Sequence, residues 1–438
     1  MKRRSYKKPL PGLSLVVARK QLWLEWCQQQ SFKPLDRFLK SRLKEIRDLK
    51  REDKLKLSAQ IQNAARYLQS AEYLESCYQQ DKCIDALAWD KEYQTLQLKI
   101  NNIQCFWFWV FLLAGDYTHA STANEAARVA WFKKQLSKLE ADLSCFAILH
   151  GFRPKWLTSL NQRALMQGWQ EDEVRSFIKK QNIALPLYLR NQSELTDKQL
   201  TEQLQANGVR AYNDHAVIQV SGGHDVTRTD LYKNGQFEIQ DLASQKIAEA
   251  VDCRPGLKVW DACAGAGGKS LALAWIMKGK GALTATDLHA YKLDELSKRS
   301  KRAQIHNIRC FTWTGESELK LPNDVRRQQG FDRVLIDAPC TSSGTWRRNP
   351  DARWRFSESD TLAQNQIQRK LLNNASRSVR IGGLCVYATC SWQVSENEAI
   401  VAEFLNNNAN FKLREQCFLG GIKENSDSMF YAVLERLS

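Results

Sequence analysis

Two cysteines stand at matching places in the chain, each just after an apolar segment of β-strand composition. Cys340 ends the run Asp337-Ala338-Pro339-Cys340, which follows the apolar segment 333–336, and Cys390 follows the apolar segment 384–387 by three residues. If both segments are parallel strands, both thiols lie at carboxyl ends of the sheet, where open α/β folds bind their ligands. The sequence therefore predicts that the two thiols share one cleft.

This pair of thiols is suited to attack on a pyrimidine base. A thiolate of lowered pKa is a strong nucleophile, and an extruded pyrimidine ring is an electrophile at carbon 6. Addition there makes carbon 5 electron-rich enough to accept a methyl group. Either cysteine alone would be interpreted as an inert strand-end thiol, but their matching placement beside Asp337 and a glycine-rich turn favours chemistry.

The glycine-rich turn spans residues 261–269, where a predicted strand ends and a helix begins. Glycines allow close approach of a ligand to the backbone, and the helix N-terminus offers unpaired donors. Ser270 breaks the dinucleotide-binding pattern and the first glycine of a P-loop is missing. Asp287, at the end of the next predicted strand, stands where an acid can accept hydrogen bonds from ribose hydroxyls. Turn and acid together favour an adenosine cofactor.

Alternating strands and helices surround these motifs from about Gln236 onward. Strands are predicted over 259–262, 282–287, 331–336 and 384–387, with helices over 270–277 and 290–305. Such an order is typical of a doubly wound, largely parallel sheet.

The first half of the chain has a different composition. Apolar residues recur at helical spacing from residue 13 to about 150, and the tryptophans there, Trp23, Trp26, Trp107 and Trp109, fit core packing better than base stacking. A short strand at 187–190, a helix capped by Thr196 and Gln199, and a strand at 216–220 follow. We therefore predict a helical domain over 1–150, a linker and small α/β module over 151–235, and an α/β domain over 236–438.

Charge points to a polyanionic partner. The formal charge is +16, and the first 50 residues hold 14 basic against 4 acidic side chains, including Lys2, Arg3, Arg4, Lys7 and Lys8. Such an excess attracts phosphates, although a solvated basic surface explains this segment equally well. No secretory signal is recognised, and the apolar run 105–115 is too short for a bilayer. The expectation is a cytoplasmic protein with reduced thiols, no membrane partner and no metal.

The motifs resemble those of the Sun/RsmB-type RNA cytosine-5 methyltransferases, of the bacterial ribosomal RNA type. The resemblance covers residues 186–438 and is carried by the turn 261–269, by Asp337-Ala338-Pro339-Cys340 with Gly344, and by Thr389-Cys390-Ser391 with Glu396-Asn397-Glu398. It implies a Rossmann-like class I methyltransferase domain, a small RNA-binding module before it, and S-adenosylmethionine as cofactor. Residues 1–185 are loosely similar to the NusB-like helical extensions of bacterial members.

The resemblance also implies residue roles. Cys390 is the expected nucleophile, and Cys340 is expected to help remove the carbon 5 proton and release the product. Asp337 would contact the cofactor side and the base, and Lys269 would support the site. The remaining cofactor contacts would come from Cys263, Ala264, Gly265, Ala266, Gly267, Gly268, Lys269, Asp287 and Asp337.

Two departures from the family pattern stand out. Gly265-Ala266 replaces Ala-Pro, and the acid expected near the adenine is absent from 311–315, which leaves Glu316 as the candidate substitute. A further segment, 346–355, interleaves arginines with tryptophans, as single-stranded RNA recognition requires, and is expected to border the cleft. A solvated loop with a buried tryptophan is the alternative.

Ribosomal RNA is the expected substrate, with transfer RNA as the main rival. Two other interpretations remain open. In DNA cytosine methylation the nucleophile lies in the Pro-Cys motif. By that pattern Cys340, and not Cys390, would be the nucleophile. A non-catalytic RNA-binding or assembly factor could keep the same fold.

Overall fold

A computed structural model describes residues 14–29, 34–46, 49–93, 103–115, 122–214, 217–221 and 225–438. The chain divides into two compact units. The helical unit comprises the chain up to Ala184 together with Trp346–Arg355, and the sheet unit comprises Leu185–Thr345 and Phe356–Ser438. The basic residues at positions 2–8 lie outside the described part of the chain.

The helical unit contains ten described α-helices. They are α1 (Leu15–Cys27), α2 (Leu35–Glu45), α3 (Arg51–Arg66), α4 (Leu68–Gln79), α5 (Ala86–Glu92), α6 (Ile103–Leu113), α7 (Ala123–Ala141), α8 (Leu143–Leu149), α9 (Leu157–Gln167) and α10 (Glu171–Lys180). The helical unit extends to Ala184, beyond the predicted boundary at 150, because α10 packs on α8 and Asn182 donates to the carbonyl of His150.

Tryptophans form much of the core of this unit. Trp23 and Trp109 are fully buried, and Trp26 and Trp107 are no more than 5% exposed. The rings of Trp23 and Trp26 stack at 5.3 Å. The prediction of core packing is confirmed. Most of the apolar run 105–115 lies in α6, whose residues 106–112 are buried. No helix in the described residues is long and apolar enough to cross a membrane.

The segment Trp346–Arg355 belongs to the helical unit, whereas the two cysteine loops belong to the sheet unit. Trp346 and Arg353 are fully buried there. Arg353 donates to the carbonyls of Gly151 and Gln181, at 2.7 and 3.1 Å, and Trp346 packs against Trp156 at 4.5 Å. Arg347 and Arg353 thus donate to backbone carbonyls from buried positions, whereas Arg348 and Arg355 are exposed.

The sheet unit begins with a small antiparallel sheet. Its strands are β1 (Leu187–Asn191), β2 (Ala211–Asp214), β3 (Val217–Val220) and β4 (Phe237–Ile239), in the order β2-β3-β1-β4, with helices α11 (Asp197–Ala206) and α12 (Asp230–Lys233). The predicted capping box of Thr196 and Gln199 is confirmed at the start of α11. Because β4 pairs with β1, this module extends to Ile239, past the predicted boundary at 235.

A seven-stranded sheet forms the rest of the unit. Its strands are β5 (Lys258–Asp261), β6 (Ala282–Asp287), β7 (Ile308–Thr312), β8 (Phe331–Asp337), β9 (Val379–Thr389), β10 (Phe411–Leu419) and β11 (Met429–Arg436), and its helices are α13 (Leu242–Ala250), α14 (Gly268–Ile276), α15 (Ala290–Arg302), α16 (Asn323–Arg327), α17 (Glu358–Ser376) and α18 (Glu398–Asn407). The order is β10-β11-β9-β8-β5-β6-β7. Strands β5 to β9 are parallel, and the β10-β11 hairpin adds the antiparallel edge.

This order confirms the predicted doubly wound sheet and fixes its ligand-binding end. From β5 the chain moves outward to β6 and β7, whereas from β8 it moves the other way to β9. The strand order therefore reverses between β5 and β8, and open α/β sheets bind ligands in the crevice at such a point. Asp261 ends β5 and Asp337 ends β8 at this crevice.

Candidate active site

The carboxyl ends of β8 and β9 bring the two predicted cysteines together. Asp337 pairs in register with Ala388, and the amide of Ala338 donates to the carbonyl of Ala388 at 2.8 Å. Three residues beyond Asp337 and two beyond Ala388, the Sγ atoms of Cys340 and Cys390 lie 3.3 Å apart. Both side chains are half-buried. The predicted shared cleft is therefore present in the geometry.

A glycine lets the two cysteine loops approach each other. The amide of Gly344 donates to the carbonyl of Cys390 at 3.0 Å, and the carbonyl of Gly344 accepts from the amide of Ser428, also at 3.0 Å. A Cβ atom at position 344 would lie 1.7 Å from the carbonyl oxygen of Ser428. Any side chain there would push the loops apart, which explains glycine at this position.

The buried carboxylate of Glu396 holds the Cys340 loop by hydrogen bonds. Glu396 is fully buried and accepts hydrogen bonds from the Thr341 amide (2.9 Å), the Thr341 hydroxyl (2.6 Å), Gln368 (3.0 Å) and Gln393 (3.1 Å). Its neighbour Asn397 donates to the carbonyl of Ser391 at 2.9 Å, next to Cys390. Residues 396 and 397 thus hold both cysteine loops.

An ion pair lies beside the thiols. Lys269, in the first turn of α14, places its Nζ atom 2.7 Å from Oδ2 of Asp337. Burial would lower the pKa of Lys269, but the contact with Asp337 outweighs it and raises that pKa. The lysine thus stays cationic and offsets the negative charge of Asp337 near Cys390.

The two thiols are chemically distinct. The pKa of Cys390 is lowered, mainly because Cys340 donates a hydrogen bond to its sulfur, while burial and Asp337 act against the shift. The pKa of Cys340 is raised well above its ordinary value by the same contact and by burial. Of the two, Cys390 is therefore the more acidic thiol.

The glycine-rich turn wraps toward the carboxyl end of β6. The amide of Gly265 donates to Oδ2 of Asp287 at 3.0 Å, and the amide of Ala264 donates to the carbonyl of Thr286 at 2.8 Å. Gly267 has φ +89° and precedes α14, where a Cβ atom would lie 2.5 Å from Leu296. The turn is thus joined by hydrogen bonds to the end of β6 and leads directly into the N-terminus of α14.

Asp261 is a further candidate that the sequence interpretation did not single out. It is 1% exposed, and its Oδ2 atom accepts from the hydroxyl of Ser270 at 2.6 Å. Its Oδ1 atom has no hydrogen-bond partner among the residues that the structure describes. Burial raises the pKa of Asp261 to about 7. Its position as the last residue of β5, directly before the turn, was the available signal.

Two further residues named from the sequence have contrasting surroundings. Cys263 is half-buried, and burial raises its pKa well above the ordinary value. The carboxylate of Glu316 is 68% exposed and forms an ion pair with Lys370 at 2.6 Å. Among the described residues, no cluster of three or more metal-binding side chains is present.

Comparison with known proteins agrees with this geometry. Residues 248–434 match the family described as 16S rRNA methyltransferase RsmB/F. The match is to that segment of the chain. The two thiols, Lys269, Asp337 and the glycine-rich turn all lie within the matched residues.

Two proteins of similar sequence illustrate the range of relatives. A protein of Bacillus subtilis named probable ribosomal RNA small subunit methyltransferase B is 30% identical over 226 residues, 51% of this chain and 49% of that protein. Mouse NSUN6, named tRNA (cytosine(72)-C(5))-methyltransferase, is 34% identical over 171 residues, 37% of this chain and 35% of that protein. The chain thus spans about half the length of the Bacillus relative and less of the mouse one.

Solved structures share the fold. The crystal structure of PH0851 superposes with a TM-score of 0.69 at 21% identity, covering 95% of this chain and 97% of that one. The structure of NSun6 from Pyrococcus horikoshii with SFG gives a TM-score of 0.55 at 16% identity, covering 64% and 98% of the two chains. The expected Rossmann-like methyltransferase fold is therefore confirmed.

Proposed function

We propose that this protein is an S-adenosylmethionine-dependent RNA methyltransferase that methylates carbon 5 of a cytosine, with ribosomal RNA as its substrate. The observation that carries the proposal is the pair of thiols 3.3 Å apart at the reversal point of the sheet, beside the cofactor turn. A structural role alone would not require two half-buried thiols of opposite pKa shift at a ligand-binding edge.

Cys390 is the nucleophile in this proposal. Its thiolate adds to carbon 6 of an extruded cytosine, and the electron pair of the carbon 5–carbon 6 double bond moves into the ring, so that carbon 5 becomes nucleophilic. When bound, S-adenosylmethionine supplies the methyl group that carbon 5 attacks. Removal of the carbon 5 proton then re-forms the double bond and expels the Cys390 sulfur.

Cys340 and the Lys269–Asp337 pair have supporting roles. Cys340, whose pKa is raised by its contact with Cys390, donates to the Cys390 thiolate before attack. Once the Cys390 sulfur is bonded to carbon 6 that contact no longer raises the Cys340 pKa, so Cys340 can ionise and take the carbon 5 proton in the elimination. Asp337 faces the same cleft and can hydrogen-bond the base near its ring nitrogen. Lys269 pairs with that carboxylate and offsets part of its unfavourable charge beside the thiolate.

The described residues fit the cofactor. Asp261 Oδ1, an acceptor left unpaired in a buried position, suits the amino group of the methionine moiety. The glycine-rich backbone of residues 263–269 suits close approach of that moiety, and Asp287 suits the ribose hydroxyls. The NSun6 structure with SFG, an analogue of S-adenosylmethionine, supports the same cofactor here.

The choice of substrate rests on relatives. The family description and the Bacillus relative name ribosomal RNA, whereas the mouse relative names a transfer RNA and cytosine carbon 5. The charge of +16 fits either RNA. The antiparallel module of β1 to β4 remains a proposed RNA-binding element. Bisulfite sequencing of RNA from cells lacking the protein identifies the target. If the signal of a methylated cytosine is lost in transfer RNA alone, the substrate is transfer RNA and not ribosomal RNA.

The mechanism is tested by trapping the RNA adduct. In Cys390→Ala, methyl transfer and adduct should both be absent, because carbon 5 is too weak a nucleophile without the bond at carbon 6. In Cys340→Ala, attack and methylation should proceed but release should stall, leaving protein covalently joined to RNA. Denaturing electrophoresis with radiolabelled RNA detects that species.

The double variant is the control for this assay. The adduct of Cys340→Ala should vanish when Cys390 is also replaced. An adduct in Cys390→Ala would instead make Cys340 the nucleophile, as in DNA cytosine methylation. Absence of methyl transfer by the unmodified protein on all cellular RNA would support the assembly-factor alternative.

A further inference from the structure

One residue beside the two thiols has an unfavourable backbone conformation. Ser342, two residues after Cys340, has φ +56°. In the described part of the chain six residues other than glycine have positive φ, and the other five are Asp81, Asp252, Lys278, Gln304 and Gln329. An L-residue with a side chain rarely adopts this region, and such outliers concentrate at functional sites.

Contacts on both sides of Ser342 hold it in this conformation. Its carbonyl accepts from the amide and the hydroxyl of Thr345, at 3.0 and 2.9 Å. The next side chain, Ser343, meets the Ser391 hydroxyl at 2.9 Å and accepts from the Trp392 amide at 3.2 Å. The turn 342–345 is thus bound to the Cys390 loop, and the backbone at 342 has little freedom to relax.

The consequence of this conformation is a hydroxyl next to the nucleophile. The Oγ atom of Ser342 lies 3.6 Å from the Sγ atom of Cys390, within hydrogen-bonding distance for sulfur. While Cys390 is a thiol, its S–H can donate to the hydroxyl. When Cys390 loses its proton, the hydroxyl can rotate and donate to the sulfur instead.

We propose that Ser342 is a catalytic residue whose hydroxyl donates a hydrogen bond to the Cys390 thiolate and so increases the fraction of the nucleophile that is ready to attack. The proposal rests on the function proposed above, because it assigns a role to a contact with its nucleophile. Glycine would adopt the left-handed backbone conformation at position 342 more easily, but it has no hydroxyl. The unfavourable conformation of Ser342 places a hydroxyl beside the Cys390 sulfur.

The other charged and titratable groups facing Cys390 come from four elements. Cys340 and Lys269 favour its thiolate, whereas Asp337 disfavours it. Glu396 lies behind Cys340 and raises the pKa of that thiol. The contact with Ser342 acts with Cys340 and Lys269 to lower the pKa of Cys390 against burial and Asp337.

The test compares two variants that both lack the hydroxyl but differ in backbone strain. Ser342→Gly removes the hydroxyl and suits positive φ, whereas Ser342→Ala removes it and keeps the strain. Each folded protein is alkylated with iodoacetamide between about pH 6 and pH 10, and the rate at Cys390 is measured by peptide mass spectrometry. In both variants we expect the rate at neutral pH to fall by about threefold to tenfold, with the titration midpoint moved to higher pH.

An internal control reports whether the variants stay folded. Cys385 lies five residues before Cys390, is fully buried, and has its pKa raised to about 12 by burial. It should remain unmodified in every folded protein, so its alkylation would mark unfolding. Samples in which Cys385 reacts are repeated at lower temperature until it is protected.

The outcomes separate this proposal from the proposed function. An unchanged Cys390 titration in both variants, or a change in Ser342→Ala alone, would overturn the proposal, because the hydroxyl would then not be the cause. Alkylation needs neither RNA nor cofactor. Methyl transfer by the unmodified protein is measured separately, so a failure of the proposed function would be visible even if Ser342 tunes the thiol.

Discussion

At the residue scale, the burial of Asp261 couples the cofactor site to pH. Its pKa of about 7 lies above the ordinary value of 3.8, so between these values the folded protein holds a proton that the unfolded chain has lost. This group therefore contributes most to stability below about pH 4, and its contribution falls as the pH rises to about 7. An ammonium group of a ligand would need the ionised form.

We therefore predict that the affinity for S-adenosylmethionine rises as the pH increases from about 5.5 to about 7.5, because Asp261 must release its proton to accept from the amino group. Isothermal calorimetry in buffers of different ionisation enthalpy measures that proton release. Asp261→Asn should remove the pH dependence and weaken binding. A pH-independent affinity in the unmodified protein would exclude Asp261 from the cofactor contacts.

Asp287 gives a second prediction at this scale. Asp287→Ala should weaken S-adenosylmethionine binding by about 1 to 3 kcal/mol, because the ribose hydroxyls lose a partner and the Gly265 amide loses the carboxylate that positions it. Calorimetry at constant pH measures the change. Glu316→Ala is the matched control, since that carboxylate is exposed and paired with Lys370. Equal affinities for Asp287→Ala and the unmodified protein would remove Asp287 from the site.

The sequence allowed prediction of those site residues whose role follows from strand ends. Cys340, Cys390, Asp337 and Asp287 all lie at or just beyond the carboxyl ends of parallel strands, which hydrophobic pattern reveals. Asp261 and Glu396 lie within motifs named from the sequence but had no predicted role, and Ser342 was not named. Their contacts depend on burial or on a turn fixed by residues far away in the chain. An unpaired oxygen or a positive φ has no local sequence signature.

At the element scale, the turn that contains Glu396 is expected to stabilise the two cysteine loops. Glu396→Gln should lower the free energy of unfolding by about 1 to 3 kcal/mol, because an amide offers one acceptor where four donors converge in a buried position. Methyl transfer should also fall, since the Thr341 amide would lose its anchor. Chemical denaturation and a methyl-transfer assay measure the two effects.

The control for that variant is the same replacement at a surface position. Glu403, on α18, forms an ion pair with Arg369 in which both side chains are more than 40% exposed. Glu403→Gln should change stability by less than about 0.5 kcal/mol. Equal effects of the two replacements would mean that Glu396 does not organise the site.

Elements with a buried face were predicted better than exposed ones. The strand at 282–287 and the helix to Ala206 match the structure, and the long helix from Ala290 ends at Arg302, three residues before the predicted end. Strand β10 was not predicted, because it is an edge strand whose central residues are exposed and charged, so its sequence lacks an apolar alternation. Strand β7, at the opposite edge of the seven-stranded sheet from β10, is also largely exposed.

At the scale of the whole molecule, the basic N-terminus leads to a prediction about RNA binding. Residues 1–13 hold five basic and no acidic side chains. Deleting them should weaken RNA binding and reduce the slope of log affinity against log salt by roughly 3 to 4, if most of these charges contact phosphates. Cofactor affinity should not change. Filter binding at several salt concentrations measures the slope.

The extent of the deletion matters for that experiment. Removing the first 50 residues would also remove α1 and α2, and with them Trp23 and Trp26 from the core of the helical unit. Loss of RNA binding could then reflect unfolding. An unchanged salt slope after the shorter deletion would show that this charge is only a solvated surface.

The segment 346–355 shows why the domain organisation was harder to predict than the strands. Its arginines and tryptophans have the composition of an RNA-contacting loop, and its place between the two cysteine motifs suggested the cleft. The carbonyls that accept from Arg353 belong to Gly151 and Gln181, more than 170 positions earlier. A pairing over that sequence distance cannot be inferred from local pattern.

The same segment affects how the protein is made on the ribosome. Domains generally fold as units during synthesis, N-terminal first. Here the helical unit cannot complete its core when residue 184 emerges from the ribosome. Trp346, Arg353 and Trp354 are part of that core and are translated only after residues 185–345. A nascent chain halted before residue 346 should therefore expose the surfaces that later cover these side chains, making the helical unit a target for chaperones until translation passes residue 355.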